Sequence, residues 1–293
     1  MDIATFLIQC LNALQYGLLL FLVASGLTLI FGIMGVINLA HGSFYMIGAY
    51  MAFALAPIVG AAFGGGFFAT LLVGTALAVT LGYVLEWTFF SFLYEREHLQ
   101  QVLMTYGLIL VFEEARSLLL GDDVHGVQAP PILAGTLPLG ALMTYPVYRL
   151  FVSGVCLALA LGMWFVFART RLGMMIRAGS TNREMVQSLG IDIKFLYRVV
   201  FAAGVAIAVF AGMVAAPLSS VYPGMGDTVL ILCFVVVVIG GIGSIRGALL
   251  AALLIGVVDT FGKALLPQFA GVLVYVLMAL ILLWKPDGLF KAG

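Results

Sequence analysis

Charged residues are scarce in this sequence: they make up 9% of its 293 residues, whereas hydrophobic residues make up 64%. The charged share is roughly a third of that expected of a soluble domain, and the mean hydropathy is +1.21. This composition excludes an ordinary soluble protein and indicates a chain that crosses the membrane several times. Thirteen cations balance thirteen acids, so the net charge implies neither nucleic acid nor an acidic membrane surface as a partner.

Cysteine and histidine are also rare, with three residues of each. The cysteines lie far apart within apolar runs, at Cys10, Cys156 and Cys233. We interpret them as packing residues, because this spacing suits neither a disulfide framework nor a thiolate metal site. His98 and His125 are predicted in loops on opposite sides of the membrane, so they and His41 cannot form a metal site. Nucleotide-binding, zinc-protease and nucleophile-elbow motifs are missing as well, and we expect a chain that is not an enzyme and binds no cofactor itself.

Long apolar runs fill most of the sequence. Nine can be marked, near residues 6–31, 43–60, 66–92, 101–120, 147–168, 199–220, 228–245, 247–266 and 270–284. A backbone in lipid must satisfy its own hydrogen bonds, and the runs lack the alternation of barrel strands, so all should be helical. The predicted fold is all-α, polytopic, with eight or nine transmembrane helices, some of them broken or re-entrant. Residues 1–293 form one domain, because the polar connectors are too short for a core of their own.

The connector at residues 169–198 is the longest polar stretch, with six Arg or Lys and two acids. Cytoplasmic loops carry excess cations, and placing the connector in the cytosol brings ten of the thirteen cations to that side. The three exceptions are Arg116, Arg149 and Lys263. Two of them have an acid at helical spacing, Glu113 and Asp259. The C-terminus is then cytosolic, whereas nine spans place the N-terminus outside and eight place it inside.

Within the connector, Thr181-Asn182-Arg183-Glu184 is typical of a capping box. In that motif the Thr181 hydroxyl accepts from the Glu184 amide, and the Glu184 carboxylate accepts from the Thr181 amide. Gly190 supplies a left-handed stop. The pattern predicts a capped helix of about two turns over residues 182–189. A capped helix in a cytosolic connector indicates an element onto which another protein docks.

Two small-residue features occur in the apolar runs. Gly240-Gly241-Ile242-Gly243-Ser244 is too rich in glycine for an undisturbed helix, and a break there would expose backbone groups to a cavity. Small residues also recur every four positions between residues 240 and 256, which favours close contact with another helix. A helix interface is the favoured interpretation. The alternative is a translocation path that includes Gly241, Gly243 and Ser244.

A polar patch near the start of the second run is a further candidate for a path or gate. Its members are Asn38, His41, Gly42, Ser43 and Tyr45. The alternative is that His41 is hydrogen-bonded inside the bundle and has only a structural role.

Four acids lie within predicted spans, at Glu86, Glu113, Glu114 and Asp259. Acids in a span are functional candidates, and a secondary transporter would need a coupling-ion site among them. Glu113 and Asp259 have cations at pairing distance along the helix, which favours a structural role. Glu86 has no partner nearby in the sequence.

The connector resembles the cytoplasmic loop of ABC importer permeases, in which a Glu stands six residues before a Gly, as Glu184 and Gly190 do. Three further segments make the resemblance specific. They are Ser25 to Gly32 leading to Asn38-Leu39-Ala40-His41-Gly42, Val235 to Gly243, and Trp284-Lys285-Pro286-Asp287-Gly288-Leu289-Phe290. Together they are similar to the LivH-type permease subunit of branched-chain amino acid importers, over nearly the whole chain. Met185 and Val186 stand where that family usually has alanines.

The resemblance implies a multi-pass subunit of the bacterial inner membrane that forms a path for Leu, Ile and Val. It implies as partners an M-type permease, two ATPase subunits that bind ATP and Mg, and a substrate-binding protein. The connector helix would insert into an ATPase groove, with Met185, Val186 and Leu189 as apolar anchors and Arg183 and Glu184 setting the register. Relatives that carry urea, short amides or other amino acids are the alternative.

Overall fold

The computed structural model describes residues 2–63, 66–94, 96–138 and 144–290, without the side chains of Phe63 and Arg183. These residues form eleven α-helices and a hairpin. The helices are α1 (Ile3–Met34), α2 (His41–Phe63), α3 (Gly66–Thr88), α4 (His98–Leu120), α5 (Val147–Arg169), α6 (Arg171–Thr181), α7 (Arg183–Ser188), α8 (Ile193–Ala215), α9 (Met225–Gly240), α10 (Ile245–Leu265) and α11 (Ala270–Trp284). Short 3-10 helices lie at Phe90–Phe92 and Pro131–Leu133, and strands β1 (Thr136–Pro138) and β2 (Thr144–Pro146) pair antiparallel.

Each of the nine predicted apolar runs contains one long helix, so the all-α prediction is confirmed. Six described helices are long and apolar enough to cross a membrane, namely α1, α2, α3, α5, α8 and α10. Helices α9 and α11 are apolar but shorter, with 16 and 15 residues, and α4 has 23 residues. The connector contains α6 and α7. The helix that corresponds to the predicted run at 199–220 is α8, which begins earlier than predicted, at Ile193.

The start of α1 and the connector lie at opposite ends of the bundle. Near the start of α1, the Phe6 ring lies 5.6 Å from the ring of Phe261, close to the end of α10. Near its end, Gly32 packs against Gly243. Helix α6 lines a cavity together with those two glycines. This is the arrangement that nine spans require, with the N-terminus on the side opposite the connector.

Helix α8 packs against α1, α2 and α3 at the centre of the bundle, and most of its residues are buried. Glycines bring its backbone into contact with α2. A Cβ atom added at Gly48 would collide with the Val209 carbonyl oxygen, and one at Gly212 would collide with the Tyr45 carbonyl oxygen. In lipid, association between helices depends on this kind of close packing, because lipid chains are as apolar as the side chains. The glycines therefore fix the spacing between α2 and α8.

Replacing Gly48 with Ala should destabilise the protein by about 1–3 kcal/mol, the usual cost of overpacking a filled interior. The added methyl group would push α2 away from the backbone of α8. Gly154→Ala is a matched control, because a Cβ atom there meets nothing within 4 Å and alanine favours a helix. Thermal unfolding in detergent should show a lower Tm for Gly48→Ala alone. Equal Tm values for the two variants would contradict the role of Gly48.

Candidate functional site

The connector folds as two helices, and its cap differs from the predicted one. Thr181 is the last residue of α6, and its hydroxyl donates to the Arg177 carbonyl oxygen at 3.0 Å. The residue that caps α7 is Asn182, whose side-chain oxygen accepts from the Met185 amide at 3.0 Å. The predicted capping box between Thr181 and Glu184 was therefore wrong, and the cap lies one position later, at Asn182. Because α6 continues to Thr181, the first residue free to take the extended N-cap conformation is Asn182.

The predicted stop at Gly190 is confirmed. Its φ angle is +83°, a left-handed conformation that glycine adopts without steric cost. The Gly190 amide donates to the Gln187 carbonyl oxygen at 2.9 Å, and the Ile191 amide donates to the Val186 carbonyl oxygen at 3.3 Å. These bonds satisfy carbonyl groups at the end of α7 and turn the chain towards α8.

Helix α7 presents one apolar side chain inwards and two outwards. Val186 is only 3% exposed and packs into the core of the chain, so it is not free to anchor a partner, which corrects the prediction. Met185 and Leu189 are 63% and 75% exposed. Glu184 is exposed as well, whereas the side chain of Arg183 lies outside the described residues. Of the predicted anchor and register residues with described side chains, Met185, Leu189 and Glu184 are exposed.

The buried acid in α3 has a partner that its sequence neighbours did not reveal. Glu86 is fully buried, and its Oε2 atom lies 3.2 Å from Nε of Arg198 in α8. Its Oε1 atom accepts from the hydroxyl of Tyr94 at 2.5 Å. Burial and this hydrogen bond raise the pKa of Tyr94, which keeps its proton and donates it. A buried carboxylate needs a cation as partner. This rule could have indicated from the sequence that Glu86 pairs with a distant Arg or Lys.

His41 lies in the interior, between α1 and α8. Its Nε2 atom donates to the Val23 carbonyl oxygen at 2.9 Å, and Nδ1 has no hydrogen-bond partner among the described residues. A Cβ atom added at Gly26 would meet the His41 ring at 3.0 Å and the Gly204 carbonyl oxygen at 2.7 Å. His41 is therefore hydrogen-bonded within the bundle, as the structural interpretation predicts, yet it retains one free acceptor.

The other members of the patch are also buried. The Asn38 side-chain oxygen accepts from the Ala40 amide at 3.0 Å, and its nitrogen has no partner in the described part of the chain. Gly42 packs against the backbone of Gly226 at the start of α9. Ser43 is 4% exposed and Tyr45 is 6% exposed. The structure thus places these residues together, in a closed interior where α1, α2, α8 and α9 meet.

The predicted helix break is confirmed. Helix α9 ends at Gly240, Gly241 has a φ angle of +95°, and α10 begins at Ile245. Ser244 caps α10 through a hydrogen bond of 3.1 Å from the Gly247 amide. Gly243 and Ser244 line a cavity of about 620 Å³ together with residues of α1, α5 and α6.

The C-terminal segment (residues 285–290) lies against this break. The Leu289 amide donates to the Ile239 carbonyl oxygen at 2.8 Å, and the Phe290 amide donates to the Gly240 carbonyl oxygen at 3.2 Å. The segment so satisfies carbonyl groups at the end of α9 that have no partner within that helix. The sequence motif was recognisable, but nothing in it indicated this contact.

The two groups of predicted path residues do not lie together. Gly42 packs at the start of α9, whereas Gly241, Gly243 and Ser244 follow its end. The 16 residues of α9 span about 24 Å at 1.5 Å per residue. The residues near His41 therefore occupy the interior, and the break occupies the end of the bundle near the connector.

The remaining acids in the spans are largely paired. Glu113 lies 3.2 Å from Nε of Arg116, and Asp259 lies 2.6 Å from Nζ of Lys263. Arg116 also donates to Asp122 at 3.0 Å, which lowers the pKa of that loop carboxylate. With Glu86 paired to Arg198, these contacts count against a coupling-ion site built from Glu86, Glu113 and Asp259. Glu114 is exposed.

Comparison with known proteins agrees with this architecture. A family profile described as the permease component of branched-chain amino acid transport systems matches residues 9–282. This chain belongs to that family. The permease is 30% identical over 305 residues to the high-affinity branched-chain amino acid transport system permease protein BraD of Pseudomonas aeruginosa, covering 98% of this chain and 96% of BraD.

Two relatives from Escherichia coli represent two kinds of permease protein. LivH is 28% identical over 296 residues, covering 97% of this chain and 95% of LivH. LivM is 28% identical over 286 residues, covering 90% of this chain and 66% of LivM. No solved structure matches the chain significantly.

The pair formed by Glu86 and Arg198 should show strong energetic coupling. In a double-mutant cycle of Glu86→Gln and Arg198→Gln, measured by unfolding in detergent, we expect a coupling of about 1 kcal/mol or more, because the two groups are in contact and Glu86 is buried. Asp259→Asn with Lys263→Gln is the control cycle. Lys263 is 62% exposed, so its coupling should stay below about 1 kcal/mol. Equal coupling in both cycles would refute the special role of the buried pair.

Proposed function

We propose that this chain is the LivH-type permease subunit of an ATP-driven importer and forms part of the path for leucine, isoleucine and valine. The observation that carries the proposal is the alignment with BraD and LivH over nearly the whole chain. A separate binding protein would deliver the amino acid. The multi-pass helical architecture suits such a path, since the chain itself contains no domain outside the bundle in its described part.

The proposed assembly pairs this permease with an M-type permease. The similarity to LivM supports this pairing, because two related chains can form a pseudo-symmetric interface. Two ATPase subunits would bind ATP and Mg. The assembly would reside in the bacterial plasma membrane, with the connector and the C-terminus on the cytoplasmic side, as the positive charge of the connector favours.

Helix α7 is the proposed contact with an ATPase subunit. Its exposed Met185 and Leu189 would fill a groove on the ATPase, in the way that an amphipathic helix binds an apolar groove. Glu184 lies beside them and would set the register at the polar rim. Because Val186 is buried against the rest of the chain, a displacement of α7 would be transmitted to the bundle.

Helix α8 is the proposed route of that transmission. Asp192 caps α8 directly after α7 by accepting from the Phe195 amide at 3.1 Å. Further along α8, Gly204 contacts α1 beside His41, and Gly212 contacts the backbone at Tyr45. A rigid shift of α8 would therefore move the walls around both residues. Nucleotide-driven closure of the ATPase pair would in this way change which side of the membrane the interior faces.

The buried patch around His41 is the proposed gate. It is closed in this structure, because Asn38 and His41 are fully buried. Nδ1 of His41 and the side-chain nitrogen of Asn38 have no partners among the described residues. Buried polar atoms without partners are costly, so opening of the interior to water or substrate would relieve that cost. This favours a gate over a purely structural role.

Gly190→Pro should uncouple ATP hydrolysis from uptake. Proline fixes φ near −65° and removes the amide that bonds to the Gln187 carbonyl oxygen. The left-handed turn that ends α7 could then not form, and the angle between α7 and α8 would change. In proteoliposomes that contain the permease pair, both ATPases and the binding protein, we expect ATP hydrolysis to continue while leucine uptake is lost.

Gly190→Asn is the matched control, since asparagine tolerates a left-handed conformation better than other side chains. It should retain most of the uptake. Tight coupling in the proline variant, with normal uptake per ATP, would contradict the proposed role of α7.

A cysteine at Ser43 should report the opening of the gate. In a background without the three native cysteines, Ser43→Cys should resist a water-soluble thiol reagent at rest, because Ser43 is 4% exposed. It should react when ATP drives the complete importer. Ser219 is exposed, so Ser219→Cys serves as a control that reacts under both conditions. Failure of Ser43→Cys to react in any state of an active importer would rule out a path beside His41.

A further inference from the structure

A cavity of about 800 Å³ opens where α3 ends and where the connector returns to the bundle. Its walls come from the end of α3, the turn that follows it, α7 and the first turns of α8. The cavity is distinct from the one beside the helix break and from the gate around His41. Trp87, Phe92, Arg96 and Lys194 are among the residues that line it.

The described lining of this cavity carries an excess of positive charge. Arg96, Lys194 and Arg198 face it, and Glu184 is the one acid in the described lining. Arg198 is balanced by Glu86, which lies 3.2 Å away behind the wall. Arg96 and Lys194 against Glu184 then leave one unbalanced positive charge among these residues. This is equal and opposite to the charge of a phosphodiester.

Exposed aromatic side chains indicate that the mouth of the cavity lies at the membrane surface. The spanning part of α3 and its extension ends at Phe92, and Trp87 and Phe92 are 59% and 70% exposed. Tryptophan and cations at the end of a span are typical of the headgroup region. An occupant would therefore need a negative head beside Arg96 and Lys194 and an apolar part beside the two aromatic rings.

The polar wall of the cavity is held in place before any ligand arrives. Tyr94 donates to Glu86 at 2.5 Å, and its ring packs edge-to-face on Tyr197, with 4.9 Å between the centroids. The Arg198 guanidinium is fixed by Glu86 and lies 5.9 Å from the centre of the Tyr83 ring. Groups that are already ordered lose little entropy on binding.

We propose that this cavity binds the phosphate headgroup of an anionic phospholipid, with Arg96 and Lys194 on the phosphate and with Trp87 and Phe92 beside the acyl chains. Basic pockets between helices at the cytoplasmic surface are suited to such headgroups. The bound lipid would join α3 to α7 and α8. The proposal depends on the cavity and its charges, and it would stand even if the transported substrate were a different one.

Trp87 provides the probe. The other two tryptophans are replaced by Trp164→Phe and Trp284→Phe, and the full-length protein is placed in phosphatidylcholine bilayers. Brominated phosphatidylglycerol at a small mole fraction should quench Trp87 fluorescence more than equally brominated phosphatidylcholine does. The expected enrichment is about five-fold, since one unbalanced positive charge favours an anionic lipid by about that factor. Arg96→Gln with Lys194→Gln should abolish the preference.

Arg169→Gln with Lys285→Gln is the matched control, because it removes two cations that do not line the cavity, and it should keep the preference. Retention of phosphatidylglycerol in native mass spectra should follow the same pattern, and thermal unfolding will verify that each variant is folded. Equal quenching by the two lipids would overturn the proposal. The proposal would also be overturned if inorganic phosphate abolished the preference and sodium chloride at equal ionic strength did not. Loss of the preference in the assembled importer would overturn it too, because a protein partner would then fill the cavity.

Discussion

The close packing of α8 against α1 and α2 through glycine is the constraint on which the rest of the structure depends. A Cβ atom at Gly26, Gly48 or Gly212 would collide with the backbone of the facing helix. Lipid chains are as apolar as leucine, so burial of apolar surface does little to hold these helices together, and contact between backbones takes its place. Because such a contact leaves little free space, a displacement of α8 should act directly on α1 and α2. In the proposed mechanism, this contact is how a displacement of the short helix before α8 would reach residues deep in the bundle.

The bilayer imposes a second constraint wherever a helix ends inside the protein. The end of α9 and the start of α10 leave backbone groups that cannot bond to lipid. The C-terminal segment satisfies two carbonyl groups of α9, and Ser244 satisfies an amide of α10. The start of α2 is less complete, because polar atoms of Asn38 and His41 remain without partners among the described residues. The two interrupted regions therefore differ, since one is closed by hydrogen bonds and the other retains unused hydrogen-bonding capacity.

Composition and hydropathy were sufficient to predict the nine long helices, because a lipid-exposed backbone has few alternatives to a helix. Helix α6 in the polar connector was not predicted. The glycine stop at Gly190 and the break after Gly240 also follow from local rules that need no knowledge of the fold. The cap at Asn182 was missed by one residue, since the end of the preceding helix decided which residue was free to cap. Val186 looked like an exposed anchor because a pattern along α7 does not show which face packs inwards. The identities of long-range partners were beyond reach, such as Arg198 for Glu86 and the C-terminal segment for α9, because sequence spacing carries no information about them.

The contact between α9 and residues 285–290 has a consequence for the biogenesis of the protein. The amides of Leu289 and Phe290 that bond to Ile239 and Gly240 are synthesised only after both α10 and α11. Until then, the newly made α9 must keep its terminal carbonyl groups in contact with water or with the insertion machinery. The order of translation therefore delays completion of this end of the bundle until the last two long helices have been synthesised.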